Sequence, residues 1–133
     1  MKLAAYVFLF LASLTARADT VCVKYGPCAL DLSAFECTNM ARSNFVRQVC
    51  YDKSKRFMVI KLNEAWYPYC EVEAASVDAL ASAPSVGAHF NHHFRSAPGG
   101  TRGPFDCRDH PMPTYGDNSK TRFAPNCDEC LQR

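Results

Sequence analysis

The sequence predicts a small α+β domain: a three-stranded antiparallel meander followed by two short helices packed on one face, with disulfide-tethered irregular segments at both ends. Three observations carry that expectation. Residues 44–72 read as short β-branched and aromatic runs separated by turn residues. Residues 73–95 change to an apolar spacing of three and four. The eight cysteines, an even number, are spread through the flanks as well as the middle.

The first strand is NFVRQVCYD, closed by a DKSK turn. RFMVIKLN follows, with Met58, Ile60 and Leu62 on one face and Phe57, Val59 and Lys61 on the other. Asn63 and Glu64 make the next turn. AWYPYCEV then sets Tyr67, Tyr69 and Glu71 opposite Trp66, Cys70 and Val72. Pro68 has no N–H to give to a ladder, which places this third strand at a sheet edge. In EAASVDALASA the residues Val77, Leu80 and Ala81 form one helical stripe, and Pro84 stops the helix because the residue before a proline avoids the helical region. Ser85 is the expected N-cap of a second helix. There Val86, Phe90 and Phe94 recur every fourth residue, His89 and His93 flank that seam, and Asn91 and Arg95 face away.

The ends bear on compartment. The chain opens MKLAAYVFLFLASLTARADT: a positive Lys2, an apolar run over 3–12, then small residues at Ala16 and Ala18. That layout predicts a secretory signal over 1–18, cut after Ala18, with an apolar run too short to be a membrane span. The expected location is therefore outside the cytoplasm, periplasmic or secreted. Cleavage removes Lys2 and Arg17 and no acidic residue, so the net charge of +2 belongs to the signal and the remaining chain is neutral. A neutral chain lacks the basic field that nucleic-acid binding needs, and a protein or small ligand is the expected partner instead. Beyond the signal, 19–42 is a cysteine-rich extension, 43–96 holds the periodic elements, and 97–133 is an irregular segment rich in proline and glycine.

Cys22, Cys28, Cys37, Cys50, Cys70, Cys107, Cys127 and Cys130 all follow the predicted cut, and in an oxidising compartment they read as disulfides. If the sheet order follows the chain, Cys50 and Cys70 sit on strands separated by a third, ~10 Å apart, too far for one bridge. Cys37 or Cys107, outside the sheet, is then the expected partner of each. The CDEC motif at 127–130 has neither a preceding strand nor a following helix, so it reads as structural rather than redox-active.

Residues 43–96 resemble the KTSC domain, a module also found at the C-terminus of some lysyl-tRNA synthetases. The resemblance rests on Ser43, Tyr51-Asp52, Tyr67 with Tyr69, Leu80, Ala83, Ser85, Gly87, Phe90-Asn91 and Arg95, in that order and spacing. The flanking FECT and GPFDCR look like the cysteine-bearing exported bacterial version of the family. Two positions depart from it: Glu64 stands where a hairpin glycine is usual, and Glu73 where a proline usually opens the helix. The resemblance implies the fold and, through the synthetase association, RNA or single-stranded nucleic-acid binding.

Two groups of residues carry candidate chemistry. Trp66, Tyr67, Tyr69, Asn91 and Arg95 offer an aromatic and guanidinium surface for a ligand. His89 and His93 stand one helical turn apart, as zinc-binding histidines do, and His110 is the candidate third ligand. No glutamate lies between the pair in the manner of a metalloprotease, and packing against the helix seam accounts for both rings. No serine, cysteine or carboxylate pair has the context of a nucleophile or general acid. The expected function is a non-catalytic binding or accessory module without a cofactor.

Overall fold

The computed structural model describes residues 20–27, 29–95 and 101–115. The predicted signal, Cys28 and the CDEC motif lie outside the described residues. A two-stranded ribbon pairs β1 (Thr20–Val21) with β2 (Leu30–Asp31). A four-stranded antiparallel sheet follows in chain order: β3 (Glu36–Asn39), β4 (Val46–Asp52), β5 (Phe57–Leu62) and β6 (Ala65–Tyr69). Two helices come last, α1 (Ala74–Ser82) and α2 (Val86–His93). No described helix is long and apolar enough to cross a membrane.

The sheet has four strands where the sequence predicts three. The additional strand, β3, belongs to what reads as the N-terminal extension, and all four of its side chains are exposed. An alternating apolar face is the signal by which a strand is recognised, and β3 has none. It is held by its ladder to β4 and by a bridge within that ladder, Cys37 to Cys50, whose residues are direct partners in register. Cys37 is thus inside the sheet, a correction to its expected place. Cys70 is bonded to Cys107, and Cys22 is disulfide-bonded as well.

The period of two along β5 divides the core. Met58 and Ile60 join Val46, Tyr51, Val72, Leu80, Phe90 and Phe94 beneath the helices, with Leu62 packed against them. Phe57 and Val59 point to the opposite face, where they meet Leu30, Leu32, Phe35, Cys50, Trp66, Cys70 and Cys107. The sheet is therefore covered on both sides: by the helices on one, and by segments from both ends of the described chain on the other. Val72 belongs to the helix side and not with Trp66 and Cys70. Glu71 has a φ of 52°, which breaks the alternation one residue earlier.

Local chemistry fixes each junction. Ser43 Oγ accepts from the N–H of Val46 at 3.0 Å at the entry to β4. Tyr51 donates its hydroxyl to the Val72 carbonyl at 2.6 Å, tying β4 to the lead into α1. Ala83 is extended before Pro84, and Ser85 Oγ caps α2 by accepting from the N–H of Ala88 at 3.3 Å. Gly87 leaves room for the Phe45 ring: a Cβ there would stand 2.8 Å from Phe45 Cε1 and displace it. At the β5–β6 turn only Asn63 takes a positive φ, 52°, so Glu64 in place of glycine is tolerated.

Asp52 is the one buried charged side chain among the described residues. Its Oδ1 accepts from the N–H and hydroxyl of Ser54, at 3.1 and 2.7 Å, and its Oδ2 accepts from the Tyr115 hydroxyl at 2.7 Å. Burial pushes this carboxyl up, but the hydrogen bonds from Ser54 and Tyr115 outweigh it and hold Asp52 below the usual carboxylate range. Tyr115 in turn packs on Phe35 and Phe57 and lies under Lys55, whose Nζ is 3.9 Å from its ring centroid. The 101–115 segment is pinned to the second face by these contacts and by Cys107.

Candidate binding cleft

Alternation along β6 turns Tyr67 and Tyr69 toward the helix side, paired in register with Ile60 and Met58. Both rings are half-buried. Tyr69 lies edge-on to Phe90 and Phe94, with centroids 5.9 and 6.0 Å away and rings nearly perpendicular. Arg95, just past the end of α2, is exposed, and its Nη1 donates to Asn91 Oδ1 at 3.2 Å. These groups border an open cleft of about 820 Å³ at the β6 edge. Phe45 and Leu62 supply more of its apolar lining, and Asp106 and Arg108 form part of its polar wall.

The predicted surface thus separates into parts. Tyr67, Tyr69 and Arg95 line the cleft, and Asn91 serves it by holding Arg95. Trp66 does not belong there. It is 8% exposed and packs in the core on the other side of the sheet. The same period of two that brings the tyrosines together sends Trp66 away from them.

The polar wall is missing from the sequence reading. Asp106 and Arg108 are in the irregular segment, where no periodicity points to them. Cys70 could have located them: its bridge to Cys107 and the bond from its N–H to the Phe105 carbonyl, 2.8 Å, bring that segment to the end of β6. Arg108 donates twice to Asp106, Nε to Oδ1 at 3.0 Å and Nη2 to Oδ2 at 2.7 Å. Burial first, then electrostatic coupling to the Tyr67 hydroxyl and the Asp106 carboxylate, pushes the Tyr69 hydroxyl far above its ordinary value, with Arg95 opposing. Tyr69 is therefore a neutral hydrogen-bond donor across the whole physiological range.

The histidines do not assemble as a three-ligand site. His89 and His93 have ring centroids 4.3 Å apart, and His92 lies 4.8 Å from His93. His89 is half-buried and held below the usual histidine value, by burial first and then by the neighbouring imidazoles. His93 is exposed, not half-packed on the seam. His110 is engaged elsewhere, with Nδ1 at 3.0 Å from Glu71 Oε2 and Nε2 at 2.7 Å from the Pro104 carbonyl. Among the described residues no three histidine, cysteine, aspartate or glutamate side chains are grouped as metal ligands.

No curated protein and no solved structure matches this chain. Residues 42–97 match the family model of the KTSC domain, a span that takes in β4, β5, β6 and both helices. The unit that carries Tyr67, Tyr69, Asn91 and Arg95 is a KTSC domain.

Proposed function

We propose that this chain is a non-catalytic binding module working outside the cytoplasm, with the cleft at Tyr67, Tyr69 and Arg95 as its ligand site. One observation carries the reading. Among the residues of the family pattern, Ser43, Tyr51, Asp52, Ser85 and Gly87 each have a folding task, and Leu80, Ala83 and Phe90 are core. Of the residues left over, Tyr67, Tyr69 and Arg95 meet at a single cleft, and Asn91 holds Arg95 there. Polar groups converging on an apolar hollow are the usual form of a ligand site. The oxidised cysteines support a location outside the cytoplasm.

Nucleic-acid binding gains less support. Tracking a phosphate backbone takes a row of available cations. Here Arg56, Arg102 and Arg108 are each paired with a carboxylate, and Lys55 is spent on Tyr115 and the Thr114 carbonyl. The exposed Arg42, Arg47 and Lys53 have no carboxylate partner among the described residues, but they do not line the cleft. A nuclear magnetic resonance titration of the oxidised protein decides between the readings. Its probes are small aromatic molecules bearing anionic, neutral or cationic groups, and a short single-stranded RNA. The expected result is saturable movement of the Tyr67, Tyr69 and Arg95 signals with one class of small probe, and no salt-sensitive response to RNA. Cleft signals unmoved by every small probe would overturn the binding reading.

A further inference from the structure

We propose that the cleft is built for a monocarboxylate on an apolar or aromatic body, with the carboxylate on Arg95 and the tyrosine hydroxyls and the body against Phe45, Leu62 and Phe90. This deepens the binding reading and rests on it. Charge complementarity is the starting point. Among the described residues Arg95, like Arg42 and Arg47, has no carboxylate partner, and of these three it is the one that lines the cleft; Arg108, the other guanidinium there, is paired with Asp106. Its one side-chain contact, from Nη1 to the neutral Asn91 amide, fixes the guanidinium without neutralising it. An exposed, tethered guanidinium presents a planar fork that fits one carboxylate through two parallel hydrogen bonds.

The neighbouring groups narrow the class. The Tyr69 hydroxyl makes no hydrogen bond to any described residue, and burial keeps it protonated, so it is a donor awaiting an acceptor. Tyr67 stands close enough to influence it. A phosphate dianion would need a second cation in the cleft; Arg108 is doubly bonded to Asp106, and Lys24, whose Nζ stands 5.9 Å from the Tyr67 ring centroid, is not among the cleft's lining residues. On the inner side Phe45 and Phe90 stand edge to face at 5.9 Å, an aromatic lining suited to a ring or branched chain. The volume, about 820 Å³, suits a small molecule or the last residues of a peptide.

Both sources share this chemistry, and one experiment separates them. N-acetyl-phenylalanine and its methylamide, and the tripeptide Gly-Gly-Phe with a free or an amidated terminus, are titrated into the oxidised protein. The signals of Tyr67, Tyr69 and Arg95 are followed. Each acid should bind at least about tenfold more tightly than its amide, the ordinary worth of hydrogen bonds to a charged group. Arg95→Gln, at an exposed position and shown by its melting curve to be folded, should erase that preference. Tyr69→Phe should reduce it while leaving amide binding in place. Tighter binding of the tripeptide acid identifies a chain terminus as the source, and tighter binding of the single acid identifies a free molecule. Equal binding of acids and amides, or an unchanged preference in Arg95→Gln, overturns the carboxylate assignment and leaves the binding reading standing. Failure of all four probes to move the cleft signals overturns the carboxylate assignment, and the binding reading falls with it when the cationic aromatic probes also leave those signals unmoved.

Discussion

The two faces of the central sheet are assembled in different ways. Beneath the helices, Met58, Ile60, Leu80, Phe90 and Phe94 all come from one stretch of chain, and every connection between their elements is short. On the other face the same β5 strand supplies Phe57 and Val59, but their neighbours arrive from far along the chain: Leu30 and Phe35 before the sheet, Met112 and Tyr115 after the helices. The first face is held mainly by local pattern, with Met40 and Phe105 added from outside that stretch. The second depends on links that close long loops, namely the Cys70–Cys107 bridge, the Asp52–Tyr115 bond and the contact of Lys55 with Tyr115. Burial alone stabilises a face when its residues are already near one another. Distant segments must also repay the entropy of loop closure.

The largest expected effect comes from removing the longer bridge. Cys70 and Cys107 are 37 residues apart, and replacing both with alanine should cost about 2–4 kcal/mol through the freedom returned to the unfolded chain. The single tryptophan makes the comparison measurable, because Trp66 lies in the second face. In the parent protein, urea unfolding followed by Trp66 fluorescence and by helical circular dichroism should coincide. In the double variant the fluorescence should change at lower urea than the helices. Coincident curves in the variant would mean that the faces unfold as one unit.

This difference between the faces is also why the sequence was only partly readable. The strands β4 to β6, both helices, the Ser85 cap and the break at Pro84 follow from period and punctuation, and each lies in the locally built part. The edge position of Pro68 follows from its missing donor and agrees with the sheet order. β3 had no apolar face to announce it, since pairing and a covalent bridge hold it in place. The displacement of Val72 turned on one backbone angle at Glu71, which composition does not encode. In the cleft, Tyr67, Tyr69 and Arg95 were legible because a strand and a helix carry them. Asp106 and Arg108 were not, because a long-range disulfide delivers them. Trp66 was a misreading of chemistry over geometry, for its face was already fixed by alternation with the tyrosines.

A second and smaller effect sharpens the comparison through pH. Asp52 accepts charge-assisted bonds from Ser54 and Tyr115, and Asp52→Asn should cost about 1.5–3 kcal/mol at neutral pH. Because the folded carboxyl is held below its ordinary value of roughly 3.9, its contribution is present above that value and is lost as pH falls through the lower, folded one. The gap in melting temperature between parent and variant should therefore be full at neutral pH and close in strong acid. Trp66 and Tyr115 should report the loss, and the helix signal should follow later. A gap that persists unchanged into strong acid would show that the Asp52 charge contributes nothing.

The smallest effect runs in the opposite direction along the pH scale. Both ring nitrogens of His110 face acceptors, Glu71 Oε2 and the Pro104 carbonyl, and only the doubly protonated imidazolium donates to both. The hydrogen bond to Glu71 is the main reason His110 is held above the ordinary histidine value. Its contribution is therefore complete below the unfolded value of roughly 6.5 and is lost as pH rises through the raised, folded one. His110→Gln should lower the melting temperature at about pH 5.5 and match the parent at about pH 9. The pair is half open to solvent, so added salt should shrink the acid-side difference. Since His110 fastens the same segment that carries Asp106 and Arg108 to the end of β6, tighter closure of the cleft wall in acid should accompany the gain in stability. Amide exchange at residues 105–108, measured at both pH values in parent and His110→Gln, reads that closure directly. Identical exchange in the two proteins at the lower pH would confine His110 to a surface ion pair with no hold on the wall.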